Sequence, residues 1–199
     1  MSALAFTGFS PLNPLPVRQL SDTSSDVLPQ IFAPDVNLVS WQRAADPLIS
    51  AYCAGLTLAM PLKRIVGADT VSTDIAAALP DAPGKAALLA DIALLCQMFS
   101  CLMDCQQLGL RLETLQRPMC PKFHTDHLVC RLVCTYLGPG TEWLPDSTKA
   151  GAASACTDTF AVTLLKGSGW EGNEQQAIVH RSPAAALPRV LLTLDPIYR

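Results

Sequence analysis

Apolar residues return at three- and four-residue intervals from Lys85 to about Leu112, and this spacing predicts one long helix. Before it, Thr73 and Asp74 can start a short helix that Pro80 stops. Asp46-Pro47 supplies a capping side chain and a fixed φ for a helix over 47–59. Val36–Trp41 is a β-prone run and reads as a short strand. Residues 1–30 carry proline at positions 11, 14, 16 and 29 and can sustain neither a helix nor a central strand. A flexible Pro/Ser-rich arm is expected there.

The texture changes at Pro118. Leu128 to Leu137, Asp158 to Lys166, Gln176 to His180 and Arg189 to Asp195 are short runs rich in β-branched and apolar residues, and they read as strands. Between them GPGTEWLP and KGSGWEGN are turn-rich. The expectation is one α+β domain over 31–199, in which a mainly helical part, 31–115, covers an antiparallel sheet rolled into a barrel or sandwich over 116–199. On the last strand, Arg189 and Thr193 share one face by parity, opposite Val190, Leu192 and Leu194.

The formal charge of -3, with both signs mixed along the chain, offers no extended basic surface for a phosphate backbone, so nucleic acid is not an expected partner. Ala86 to Met103 has the length of a membrane span, but Asp91 interrupts it and no Lys/Arg-rich flank or aromatic belt borders it. No membrane partner is expected. The opening MSALAFTGFSPLNPLP has neither a basic start nor a sustained apolar stretch, which predicts a cytoplasmic, reducing compartment for the eight cysteines. There they remain thiols, and Cys53, Cys96 and Cys101 read as core. Cys96, Cys101 and Cys105 share one helix and cannot surround a tetrahedral ion.

Candidate chemistry centres on CPKFHTDH. His124 and Asp126 stand two apart before a strand, and in an extended backbone such residues point to one face. An imidazole and a carboxylate suit a divalent metal, and His180, the one histidine outside this segment, completes a facial triad with open positions. Arg189, a cation at a strand start inside a barrel, calls for a bound carboxylate as its partner. The rival coordination is a zinc set of Cys120, His124 and His127, which leaves Asp126 without a role. Glu142, Trp143 and Trp170 lie in the turn-rich loops, where they either line a substrate mouth or cover the core.

The ordered set His124-Thr-Asp126, Arg131, Thr135-Tyr136-Leu137, GPGTEW with Thr141, His180 and Arg189 resembles the iron(II)- and 2-oxoglutarate-dependent oxygenases, particularly their prolyl-hydroxylase-like group. The resemblance covers about positions 118 to 197 and implies a double-stranded β-helix (jelly-roll/cupin-like) barrel. It implies iron(II) held by His124, Asp126 and His180 as the catalytic set. Arg189 and Tyr136 would bind the distal carboxylate of 2-oxoglutarate. The substrate implied is a small molecule or peptide. The blocks CPKFHTDH, RLVCTYLGPGTEWLP and VHRSP…PRVLLTLD also look like a bacterial family, domain-of-unknown-function family 1826, over most of the chain. That likeness admits the alternative of a zinc-binding protein of metal homeostasis without catalysis.

Overall fold

Ordered structure begins earlier than the prolines suggest. In the computed structural model, which describes residues 16–147, 151, 153–184 and 188–198, strand β1 (Arg18–Asp22) pairs in parallel with β2 (Val36–Trp41). Between them Ser24 caps a 3-10 helix over Ser25–Phe32, its hydroxyl accepting from the Asp26 backbone N–H. The expected arm is therefore folded from Arg18 onward, and residues 1–15 of it lie outside the described residues. Edge position explains this, because β1 has a neighbour on one side only and needs half a ladder.

Helix α1 (Pro47–Gly55) starts where Asp46 accepts from the N–H groups of Leu48 and Ile49. Strand β3 (Leu62–Gly67) and helix α2 (Val71–Ala76) follow, then helix α3 (Lys85–Met103). The long helix ends nine residues before Leu112. Asp104 takes a left-handed conformation, φ 48°, and the chain turns into β4 (Gln107–Leu115). Leu108, Leu110 and Leu112 are buried on alternate positions, a period of two that happens to prolong the apolar spacing of α3.

The remaining strands are β5 (Cys130–Leu137), β6 (Glu142–Trp143), β7 (Ala155–Cys156), β8 (Val162–Lys166), β9 (His180–Arg181) and β10 (Arg189–Ile197). The strand expected over Gln176 to His180 is reduced to its last residue. A mixed seven-stranded sheet runs β1-β2-β8-β5-β10-β4-β3, and a three-stranded sheet runs β7-β6-β9. The two sheets stay separate, so no closed barrel forms among the described residues. With two residues per strand, the small sheet cannot carry hydrogen bonding around to the large one.

Each face of the large sheet has its own core. Val190, Leu192 and Leu194 of β10 enter the larger one with Leu88, Ile92, Leu95 and Phe99 of α3. Leu191 enters a smaller one with Val133, Leu165 and Ile178, against Trp143 of the small sheet. Each fully buried leucine or isoleucine contributes about 1.5–3 kcal/mol relative to exposure. By length and composition α3 could cross a membrane. Here its Asp91 is held at both oxygens by Arg43, at 2.6 and 3.1 Å, and by the Tyr136 hydroxyl at 2.7 Å.

Candidate metal centre

A single β-bridge brings the two histidines together: the His124 N–H donates to the His180 carbonyl at 3.0 Å, and the His180 N–H returns the bond at 2.9 Å. Their rings lie 4.6 Å apart. Nδ1 of His124 is 2.9 Å from the Lys122 carbonyl, and Nδ1 of His180 is 3.3 Å from the Ile178 carbonyl. A carbonyl only accepts, so each Nδ1 carries a proton and each Nε2 is the ring atom left to meet a ligand. Both Nε2 atoms face Asp126, with His180 Nε2 3.4 Å from Oδ2 and His124 Nε2 4.0 Å from Oδ1. One ligand atom from each of the three lies within 4.8 Å of the others. A divalent ion could be held there on one side, with the other side open.

Asp126 is positioned by what surrounds it. Its backbone carbonyl accepts from the Ser168 N–H at 2.9 Å and hydroxyl at 3.2 Å. The loop carrying Ser168 comes this close because position 167 is glycine, where a Cβ would stand 2.0 Å from the Leu128 carbonyl oxygen. Arg131 Nη1 donates to Asp126 Oδ2 at 2.8 Å, while its Nε and Nη2 hold both oxygens of Asp195 at 2.7 and 2.8 Å. Burial pushes the Asp126 carboxyl up, and the His180 hydrogen bond with the Arg131 charge outweighs it, holding the group below the usual carboxylate range. The carboxylate is thus charged at neutral pH.

Arg189 opens β10 and points into the same cavity as His124 and His180. It is only 4% exposed, and its Nη2 donates to the hydroxyls of Thr141 at 2.8 Å and Thr135 at 3.1 Å. Its Nε has no partner, and no carboxylate forms an ion pair with it among the described residues. Burial pulls the guanidinium down to about 10, against the attraction of Cys156 and Glu113. This is a buried cation presented to a cavity with no carboxylate in direct contact among the described residues, Glu113 acting on it only from a distance.

Other expected residues fall elsewhere. Tyr136 faces the opposite side of β5, in the core under α3, and its hydroxyl is spent on Asp91, so it is not brought to the cavity. Its neighbour Thr135 is the one that meets Arg189. Tyr136→Phe should cost about 1.5–3 kcal/mol of stability, the range for a hydrogen bond to a charged group. Affinity for 2-oxoglutarate should be unchanged in the same variant, by calorimetry, and a loss there would return Tyr136 to the site. His127 is exposed, with Nδ1 3.0 Å from the Ser168 hydroxyl. Cys120 lines the cavity but stands outside the three-residue cluster, so the zinc set of Cys120, His124 and His127 is not assembled. Trp143 covers the smaller core and Trp170 the larger, where it packs on Phe32 at 5.3 Å, and Glu142 is paired with Arg181 at 2.7 Å. Arg131 with Asp195 is the functional pairing that the sequence reading missed. Arg131 shares its strand parity with Thr135, but its partner lies on β10 and emerges only from the register.

The large sheet and the small sheet form a fold shared with solved dioxygenases. AtDAO1, the dioxygenase for auxin oxidation 1 of Arabidopsis thaliana, solved with 2-oxoglutarate, superposes with a TM-score of 0.55 at 9% identity, over 92% of this chain and 93% of that one. T7H of Neurospora crassa, solved with alpha-KG, gives 0.54 at 10% identity, over 96% and 88%. The dioxygenase for auxin oxidation of rice gives 0.52 at 12%, over 91% and 83%. No curated protein matches the chain. The chain belongs to the family described as protein of unknown function (DUF1826), whose model matches residues 22–195.

Proposed function

We propose that this protein is an iron(II)- and 2-oxoglutarate-dependent oxygenase, with the two sheets as the layers of a double-stranded β-helix and the helices backing the larger one. His124, Asp126 and His180 would hold the iron. The observation that carries the reading is Arg189: a buried guanidinium with an unpartnered Nε, sharing a cavity with a His-Asp-His cluster. A zinc carrier has no use for such a cation, whereas a dicarboxylate bound at the metal needs one at its far end. Thr135 and Thr141 would orient the guanidinium, and Arg131 would keep one oxygen of Asp126 occupied so that the other faces the metal. With iron(II) bound, dioxygen would be the oxidant and 2-oxoglutarate the co-substrate: one oxygen atom would enter a substrate C–H bond as hydroxyl, and the other would enter succinate as 2-oxoglutarate loses carbon dioxide.

Protein purified without oxygen should bind one iron(II) per chain and, on addition of 2-oxoglutarate, develop a weak metal-to-ligand charge-transfer absorption. Tight zinc binding with no response to 2-oxoglutarate would instead establish a zinc protein without catalysis. Absence of any metal binding would remove both readings.

A further inference from the structure

The seven-stranded sheet extends past the cavity as an uncovered shelf. Val133 of β5, Thr193 of β10, Arg111 of β4 and Lys63 of β3 form one cross-strand row, and Val133 and Thr193 line the cavity. The neighbouring row runs Asp195, Gly109, Ile65. Paired residues of adjacent strands project to one face, so Arg111, Lys63 and Ile65 lie on the cavity side. The small sheet does not reach them, and Ile65 is 65% exposed. Met119 stands at the boundary, lining the cavity while its Sδ accepts from Arg111 Nη1 at 3.4 Å.

Charge singles out the same border. Among the described residues, the exposed cations that form no ion pair with a carboxylate are Lys63, Arg64, Arg117 and Lys122. Two sit on β3. The other two sit on the segment that leads from β4 to His124: Arg117 lines a crevice with Arg189, and the Lys122 carbonyl orients the His124 ring. Of the carboxylates nearby, Asp126 and Asp195 are taken by Arg131, and Glu113 is buried 3.6 Å from Arg111. In a chain of net charge -3, three of these four, Lys63, Arg117 and Lys122, border one opening, while Arg64, opposite Leu110, projects to the other face of the sheet.

We propose that the primary substrate is a small organic anion with an apolar body, its charged head on Lys63 and Arg111 and its body against Ile65 and Met119, so that the far end reaches the metal centre. This rests on the oxygenase reading above. Reach favours a small molecule, since strands lie about 4.8 Å apart and Lys63 is therefore about 10 Å from Thr193. A peptide added as a strand outside β3 would lie about 14 Å from β10, too far for its side chain to enter.

The probes are octanoate, octyl phosphate and neutral octanamide, each followed by proton saturation transfer with protein holding iron(II) and excess 2-oxoglutarate under nitrogen. The anions should bind and octanamide should not, and whichever anion binds more tightly identifies the head group as carboxylate or phosphate. Lys63→Gln, an exposed change that leaves packing alone, should weaken the anion by about 5–10-fold, as should Arg111→Gln, with iron affinity unchanged. Equal binding of octanamide, no binding of either anion, or full anion affinity in Lys63→Gln would overturn the proposal. Repeating the measurement on metal-free protein separates the two readings: anion binding that persists there, and is lost in Lys63→Gln, in a protein that takes up no iron would keep the shelf and refute the oxygenase.

Discussion

Asp126→Ala should abolish iron(II) binding, lowering affinity by at least about 100-fold, while leaving a folded protein. Loss of an outer hydrogen-bond partner of a metal site already costs roughly 10–100-fold, and removal of its only carboxylate goes further. The two imidazoles that remain are 4.6 Å apart on one side and carry no negative charge. The fold should tolerate the change because Arg131 keeps its bidentate pair with Asp195. Anaerobic calorimetry gives the affinity directly. Thermal unfolding gives a second readout, since iron at 100 times its wild-type dissociation constant adds about 2.7 kcal/mol to the wild type and should add at most about 0.4 kcal/mol to the variant. Wild-type iron affinity in Asp126→Ala, combined with loss of metal in Cys120→Ala, would transfer the site to the zinc set.

The placing of His124 and Asp126 on one side is legible because it is local, whereas His180 reaches them through a bridge between distant segments. His124 and Asp126 are two apart in extended chain, and parity on β10 placed Arg189 toward the cavity and Val190, Leu192 and Leu194 toward the helical core, as found. What stayed hidden depends on pairing. The resemblance places Tyr136 at the cosubstrate, yet Thr135 faces Leu191 in the register of β5 against β10, and the next residue must point the other way. The Arg131–Asp195 link needs the same register. Period also misled at one point: a helix and a strand, both rich in leucine, abut at Asp104, and Leu108, Leu110 and Leu112 fit either rhythm until the left-handed turn is seen. Strands β1 and β3 were missed because edge strands are short and half exposed, so their patterns are weak.

Replacing Arg189 by methionine separates binding from stability. The guanidinium is buried, its Nε has no partner, and the folded protein bears the cost of a desolvated charge that no carboxylate pairs with directly among the described residues and that Glu113 offsets only in part. Methionine keeps the apolar stem, so the metal-free variant should melt no lower than the wild type, a result opposite to that for a cation in a structural ion pair. Iron(II) affinity should also be retained, because Arg189 touches none of the three ligands. Binding of 2-oxoglutarate to the iron-loaded protein should weaken by roughly 2–5 kcal/mol, at least about 30-fold, as for truncation of one partner of a buried charge pair. Arg189→Lys should recover part of the loss, since an ammonium supplies the charge without the guanidinium's fork toward Thr135 and Thr141. If Arg189→Met lowers the melting temperature sharply and leaves 2-oxoglutarate affinity untouched, the guanidinium is a structural group. The cavity would then hold a metal without that cosubstrate.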